Sequence, residues 1–382
     1  MSDIRVMKSP KSVDLNITTR CNLRCSYCSH FSSEGDVKKD LPLEEWLLFF
    51  KELNENAVLD VCLSGGEPLI REDFKELVDG VVKNRMRFSM LSNGTLMTDD
   101  ILEYIKSTKR CDSIQVSIDG PGPDTHDIFR GKGTFEKALK GLKLLLKHKL
   151  PATVRVTVHK FNYKYLNEVA RLLLEEVGLP SFSTNSASNF GLCRENKDST
   201  QLSVEEYSEA MAKLMELNIK YKGRIGAQAG PLASGKHWME IEEAISKGEK
   251  SLPGCGYLRS CGGVFSKMAV RADGTMLPCS QMPHVELGRI NKDKLRDVWL
   301  NHPELKRLRE RRDIPLEQFE LCSDCKYIPY CRGGCPAVSY TLTGDENKPS
   351  TDACYRVFVE SGGKLPKKED LRHLERHKGT KK

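Results

Sequence analysis

The sequence predicts an α/β fold, a partial (β/α)6 barrel followed by a smaller cysteine-rich domain. Three observations predict it. Short β-branched or apolar runs alternate with amphipathic ones through the first half, the pattern of strand-helix units around a parallel sheet. Beyond Gly223 that alternation ends. From about Leu252 the chain is rich in Gly, Pro and Cys with few strong helices, so something besides apolar burial must hold it. The expected ranges are 11–235 for the barrel domain, 250–360 for the cysteine-rich domain and 361–382 for a disordered basic tail.

Six strands are expected: Val13–Ile17, Val58–Leu63, Arg87–Leu91, Ser113–Ile118, Ala152–Val158 and Ser181–Asn185. Helical segments intervene. LEEWLLFFKEL starts at Leu43 behind Pro42, and REDFKELVDGVVK places Ile70, Phe74, Leu77, Val78 and Val81 on one face. DDILEYIKS, TFEKALKGLKLLLKH and YLNEVARLLLEEVG follow, the last closed by Gly178. Right-handed crossovers would curl six such units into a barrel or a large part of one. SVEEYSEAMAKLMELNIKYK then forms a long helix, and a hairpin turns at Asp273–Gly274.

The formal charge of +7 suggests a polyanion partner, but the segment 364–382 holds eight Lys or Arg against three acidic residues. The remaining chain is close to neutral, so nucleic-acid binding is unsupported. No apolar run approaches the roughly 20 residues of a membrane span, and the N-terminal stretch lacks the apolar core of a signal peptide. A cytoplasmic protein is expected. Fourteen cysteines at short, ligand-like spacings in such a chain point to metal rather than to disulfides.

In a parallel barrel the loops at the C-terminal strand ends share one mouth. The first expected strand leads into Cys21, Cys25 and Cys28, the second into SGGEP, the third into SNGT and the fourth into SIDG. C-x3-C-x2-C supplies three thiolates, one fewer than closes a cubane cluster or a structural zinc site. Gly65 and Gly66 would let a backbone edge approach a ligand, Glu67 offers a carboxylate to a ligand amine, and Tyr27 a ring to a purine. Singly, each has a bland reading as a core thiol or a turn; their joint placement carries the argument.

CNLRCSYC with GGEP and SIDG resembles the radical S-adenosylmethionine (SAM) superfamily. The resemblance implies that Cys21, Cys25 and Cys28 hold a 4Fe-4S cluster whose open iron binds SAM, which is reductively cleaved to a 5'-deoxyadenosyl radical. It further implies that Gly65, Gly66 and Glu67 contact the SAM amine, that Ser117 and Asp119 lie near the ribose, and that Arg130 pairs with the SAM carboxylate. Asn93 is carried over in the same way, although an NG pair turns well without any ligand.

The distal half carries Cys255, Cys261, Cys279, Cys322, Cys325, Cys331, Cys335 and Cys354. Alone, these could bind zinc. After a radical SAM domain the pattern is similar to the SPASM extension. That resemblance implies two auxiliary 4Fe-4S clusters, one on Cys255, Cys261, Cys279 and Cys335 and one on Cys322, Cys325, Cys331 and Cys354, hence three clusters in all. Cys62 and Cys111 are expected in the core. Cys193 follows the sixth strand and is a candidate hydrogen-atom donor, and His159 past the fifth is placed for a substrate contact.

Members of this family mostly modify peptides, so the expected substrate is a ribosomally made precursor peptide. A sulfatase maturase would carry an aspartate where this chain has Ser280, and serine is a poor base. SYCSHFSSEGDVKKDLP, FSTNSAS, AGPLASG and IPYCRGGCPAVSYTLTGDE resemble the radical SAM/SPASM proteins of the SynChlorMet cassette, which implies a small cassette-encoded peptide. With about a dozen residues before the first strand, leader recognition falls to a separate protein or to the SPASM domain. An electron donor such as flavodoxin or ferredoxin is also implied. Two alternatives stand beside this reading: radical modification of a small molecule such as a porphyrin, and a zinc-bound scaffold without catalysis.

Overall fold

The computed structural model describes residues 6–31, 39–259, 261–367, 369 and 371. The expected basic tail beyond 371 lies outside the described residues. Six strands stand where the pattern puts them, to within about two residues: β1 Ser12–Thr18, β2 Asp60–Gly65, β3 Arg87–Ser92, β4 Cys111–Ser117, β5 Ala152–Val158 and β6 Phe182–Ser186. They pair in chain order, all parallel.

The alternation runs one unit further than the sequence pattern indicates. A seventh strand, β7 Ile225–Ala227, lies parallel to β6 and is followed by the helix Pro231–Ser246. Three residues carry too little periodicity to be read. At the other edge, β8 Lys267–Val270 runs parallel to β1, with β9 Thr275–Leu277 antiparallel to it across the expected Asp273–Gly274 turn, and β10 Gly288–Arg289 beyond. One ten-stranded sheet in the order β10-β9-β8-β1-β2-β3-β4-β5-β6-β7 thus spans both halves of the chain without closing.

The helices Leu43–Glu55, Phe74–Lys83, Asp99–Thr108 and Thr134–Lys147 cover one face of this sheet. Under them, Leu15, Ile17, Leu63, Phe88, Met90, Val116, Val154 and Val156 join Trp46, Phe49, Leu77 and Leu142 in a single apolar cluster. Ile70, expected on the same face as Phe74, falls instead in the one-turn helix Pro68–Ile70 and is half-buried.

Alternate strand residues face the other way, and most are polar. Asn16 lies beside Ser64, Cys62 beside Ser89, Ser117 beside Arg155, Arg155 beside Ser183 and Thr157 beside Asn185. Strands buried in apolar contact on both faces read as continuous hydrophobic runs. These alternate, so the concave side is a polar lining. Among the described residues no helix is long and apolar enough to cross a membrane.

Candidate functional site

The cysteine loop leaves β1 at Thr18 and is tied down from several sides. The Asp40 carboxylate accepts from Thr18 Oγ1 at 2.7 Å, Thr19 N at 3.1 Å and Arg20 Nε at 3.1 Å. Further along, Ser26 N donates to Phe129 O at 3.0 Å and Leu192 N to Cys28 O at 3.0 Å. The loop is therefore held between β1, the helix Pro123–Arg130 and the short helix Gly191–Glu195.

Gly65 and Gly66 bring the end of β2 against that loop through their N–H side. Gly66 N donates to Thr18 O and Glu67 N to Arg20 O, both at 2.9 Å. A Cβ on Gly66 would stand 2.1 Å from Arg20 O, and one on Gly65, at φ +131°, 2.2 Å from Thr18 O. The Glu67 side chain turns inward and is fully buried. It accepts from Asn93 N at 2.7 Å, Ser92 Oγ at 3.0 Å and Leu69 N at 3.2 Å, and so fastens the β2 loop to the β3 loop. Burial raises its pKa against those three donors. Asn93 in turn donates to Asn22 Oδ1 at 2.9 Å inside the cysteine loop.

Cys21, Cys25 and Cys28 lie close enough that the Cys28 charge acts on both Cys21 and Cys25, and the Cys21 charge on Cys25. Burial, against the opposing pull of Arg130, pushes the Cys25 thiol up to about 12. Leu23 N donates to Cys21 Sγ at 3.4 Å. Adjacent thiols held this way ionise only with a cation among them, which a metal centre supplies. The donor set fits an iron-sulfur cluster.

Beside the trio lies a buried charge network centred on Asp119. Its carboxylate accepts from Arg130 Nε at 2.5 Å, from Tyr27 Oη and from Thr157 N at 2.8 Å. Burial raises the Asp119 pKa, but Arg130 and two neighbouring histidines outweigh it and hold the carboxyl below its usual range. Arg130 is 8% exposed, so it is no solvated loop residue. Tyr27 is packed under Phe129 and His159, each with ring centroids 5.6 Å away, and the Arg130 guanidinium lies 5.5 Å over its ring. Ser117 sits at the end of β4 beside Arg155.

Cys193, the candidate hydrogen-atom donor, is buried in an apolar cluster with Tyr27 and Phe129, its Sγ 3.5 Å from Thr200 Oγ1. His159 is fully buried, with Nδ1 accepting from Phe161 N at 3.2 Å and Nε2 left without a hydrogen-bond partner. Cys111 packs against the main core, while Cys62 is half-buried on the polar side of β2.

The distal thiols form two neighbourhoods. Cys261, Cys279 and Cys335 act on one another electrostatically, and burial pushes Cys279 up to about 11. Cys322, Cys325, Cys331 and Cys354 do the same, burial pushing Cys322 and Cys331 up to about 11. Backbone amides donate to Cys261 Sγ and Cys279 Sγ at 3.4 Å and to Cys331 Sγ at 3.3 Å. Cys255, grouped with the first set by resemblance, has its charge felt at Cys331 of the second. Among the described residues no three His, Cys, Asp or Glu side chains form a group that could hold a single metal ion.

Two features escaped sequence reasoning. The polar lining of the sheet is present as alternation within each strand, for instance Arg155 and Thr157 between the valines of β5, a signal that β-branched or apolar content does not expose. The buried cation Arg311, in the charged run RLRERRD, carries no local signal that separates it from a solvated face.

Residues 15–173 match the family model of the Radical SAM superfamily, and residues 261–326 match that of SPASM, an iron-sulfur cluster-binding domain. The AdoMet-dependent heme synthase of Methanosarcina barkeri (strain Fusaro / DSM 804) is 29% identical over 360 residues, 92% of this chain and 99% of that protein. The PqqA peptide cyclase of Granulibacter bethesdensis is 25% identical over 345 residues, 89% of this chain and 86% of that one. Among solved structures, Streptococcus suis SuiB bound to precursor peptide SuiA superposes with a TM-score of 0.69 at 16% identity, over 92% of this chain and 77% of that chain. That likeness shows the shared fold.

Proposed function

We propose, from the premise that this chain carries a radical SAM domain followed by a SPASM domain, that it is an enzyme modifying a peptide, a ribosomally made precursor, by radical chemistry. One observation carries the reading: the thiol trio and the GGEP, SNG and SIDG turns sit on loops after four neighbouring parallel strands. Cys21, Cys25 and Cys28 would hold a 4Fe-4S cluster and leave one iron for SAM. When bound, this pair supplies one-electron cleavage of SAM to a 5'-deoxyadenosyl radical.

The chain's own residues then have positioning roles. The Gly65–Gly66 backbone, laid against Arg20, sets the edge for the SAM amine, and Glu67 fixes that edge to the β3 loop through Asn93. Arg130 commits Nε to Asp119, which leaves its Nη donors for the SAM carboxylate. Ser117 and Asp119 lie on the ribose side. The two distal sets would hold auxiliary clusters, giving three clusters in the chain. A flavodoxin or ferredoxin would supply electrons, and a separate leader-recognition protein would be a further partner.

The peptide reading is supported by the PqqA peptide cyclase relative and by the fold shared with SuiB. A second reading, radical modification of a tetrapyrrole, is favoured by the heme synthase, which aligns over 99% of its own length. The test is anaerobic incubation of the reconstituted protein with SAM, dithionite and a candidate precursor peptide, following peptide mass and 5'-deoxyadenosine. The nucleoside should form, and should vanish in the Cys21→Ala/Cys25→Ala/Cys28→Ala variant. No nucleoside from iron-loaded protein refutes the radical reading. Nucleoside with an unchanged peptide and an altered porphyrin selects the second.

A further inference from the structure

Arg311 is fully buried and makes no ion pair among the described residues. Its guanidinium meets only backbone carbonyls. Nε donates to Glu346 O at 2.7 Å, Nη1 to Arg259 O and to Gly334 O at 3.4 Å, and Nη2 to Lys348 O at 3.1 Å. Cys335 acts on it more strongly than any carboxylate does, and the carboxylates of Asp345 and Glu346 compensate it only in part, without an ion pair. The Glu346 side chain is held by His284 at 2.6 Å and Arg307 at 3.2 Å, and Asp345 acts only from a distance. A cation buried in this way is unfavourable unless an anion stands close by.

The carbonyls it grips locate that anion. Gly334 immediately precedes Cys335, and Arg259 stands two residues before Cys261, so the guanidinium lies between two strands of chain that carry thiols of the first distal set. Arg259 and Arg312 also line a cavity with Cys261, Gly262 and Phe265, which adds positive charge on the same side. The second distal set has a cation too, but of another kind. Arg356 lies on the surface, its side chain 33% exposed, paired with Glu360 at 2.8 Å. It reaches Cys325 of that set, but from a position where water and the Glu360 carboxylate screen its charge.

We infer that Arg311 is the built-in counter-charge of the cluster on Cys261, Cys279 and Cys335, and that it raises the reduction potential of this cluster above that of the cluster on Cys322, Cys325, Cys331 and Cys354. The inference rests on the cluster assignment proposed above. One-electron reduction adds a negative charge to an already anionic cluster, with no bond made or broken. A fixed cation in a low-dielectric site stabilises the reduced form more than the oxidised one. Electrons reaching the distal half therefore come to rest on the cluster beside β8, the strand that joins the barrel sheet. Arg311 acts as a positioning and tuning residue; it touches no reacting atom.

The test uses full-length chain with Cys21, Cys25 and Cys28 replaced by Ala, so that only the distal clusters give signals, in an EPR-monitored titration with dithionite under anaerobic conditions. Two midpoints are expected. The higher should disappear in Cys335→Ala and the lower in Cys325→Ala. Arg311→Met should lower the higher midpoint by at least a tenfold change in the reduction equilibrium, about 59 mV for one electron, while leaving the other in place. Arg311→Lys, which keeps the charge, should retain most of the separation. Coincident midpoints with Arg311 intact, a higher midpoint on the Cys325 side, or an unmoved midpoint in iron-loaded Arg311→Met overturns the inference. If Arg311→Met does not fold, the assignment of the two midpoints in the chain with Arg311 intact still decides. Protein that binds no iron at these cysteines refutes the cluster reading itself, a result that iron and sulfide analysis separates from the others.

Discussion

The two distal thiol sets use the same chemistry in contrasting surroundings. Cys261 and Cys279 flank the β8–β9 hairpin, whose Met268, Val270 and Met276 belong to the main apolar cluster. Cys322, Cys325, Cys331 and Cys354 sit in turns and one-turn helices such as Glu320–Cys322, Ile328–Tyr330 and Thr351–Ala353. These rest on a small separate cluster built from Met211, Trp238, Tyr330, Tyr355 and Phe358. The first set is built into a fold that exists for other reasons. The second sits in backbone with little else to order it, so its own metal should supply the order.

Removing iron anaerobically breaks the comparison open and should have the largest effect. A structural metal contributes on the order of 10 kcal/mol to a small domain that cannot fold without it. Hydrogen exchange should show amide protection collapsing across 320–360 while β1 to β6 stay protected. Equal loss in both halves would mean that the apolar cores are not what distinguishes them.

Next in size is the buried pair inside the barrel. Arg130→Met leaves Asp119 buried without its cation, and Asp119→Asn does the reverse, at a cost of about 3–5 kcal/mol each. Urea denaturation monitored by circular dichroism should show the midpoint fall without iron release from the distal sets. A change under about 1 kcal/mol would mean that water reaches the pair, contrary to its burial.

Much of this was legible in the sequence, and the reasons are physical. The six strands and their helices follow from side-chain period, because each helix must bury one stripe and each strand one face. The thiol sets follow from spacing. What the sequence could not show was which way a polar residue turns once loops meet. Glu67 faces inward to bind the β3 loop, and Arg130 is fixed to Asp119, because the partner of each is a residue brought near only by the sheet order. β7, and the pairing of the expected hairpin's β8 with β1, lay beyond the sequence for the same reason. Strands of three and four residues are stabilised by the edges they join, Phe182–Thr184 on one side and Ser12–Leu15 on the other, rather than by their own pattern.

Acid should separate the barrel from the distal half more mildly. Burial drives the pKa of His126 and of His159 down to about 4, from an ordinary value of 6.5. The unfolded chain therefore takes up protons first. The stability these two groups contribute is full above about pH 6.5 and is lost as pH falls towards 4, on the order of 3 kcal/mol for each group. The thermal midpoint of the barrel, followed in the Cys21→Ala/Cys25→Ala/Cys28→Ala chain, should drop over that window. His126→Gln with His159→Asn should flatten the drop. An unchanged pH profile in the double variant would place the acid sensitivity elsewhere.

The smallest effect is expected at Arg356, and it sharpens the contrast most directly. This side chain bridges to Glu360 at 2.8 Å and donates to Ser323 O at 2.8 Å from an exposed position. Exposed pairs of this kind contribute little, since solvent screens them and ordering two long side chains opposes the gain. Arg356→Ala should therefore shift the denaturation midpoint by less than the error separating the barrel variants, and should move the lower distal midpoint potential far less than Arg311→Met moves the higher one. A shift of equal size at both arginines would mean that burial does not set the influence of a cation on these clusters, and the asymmetry between the two thiol sets would need another source.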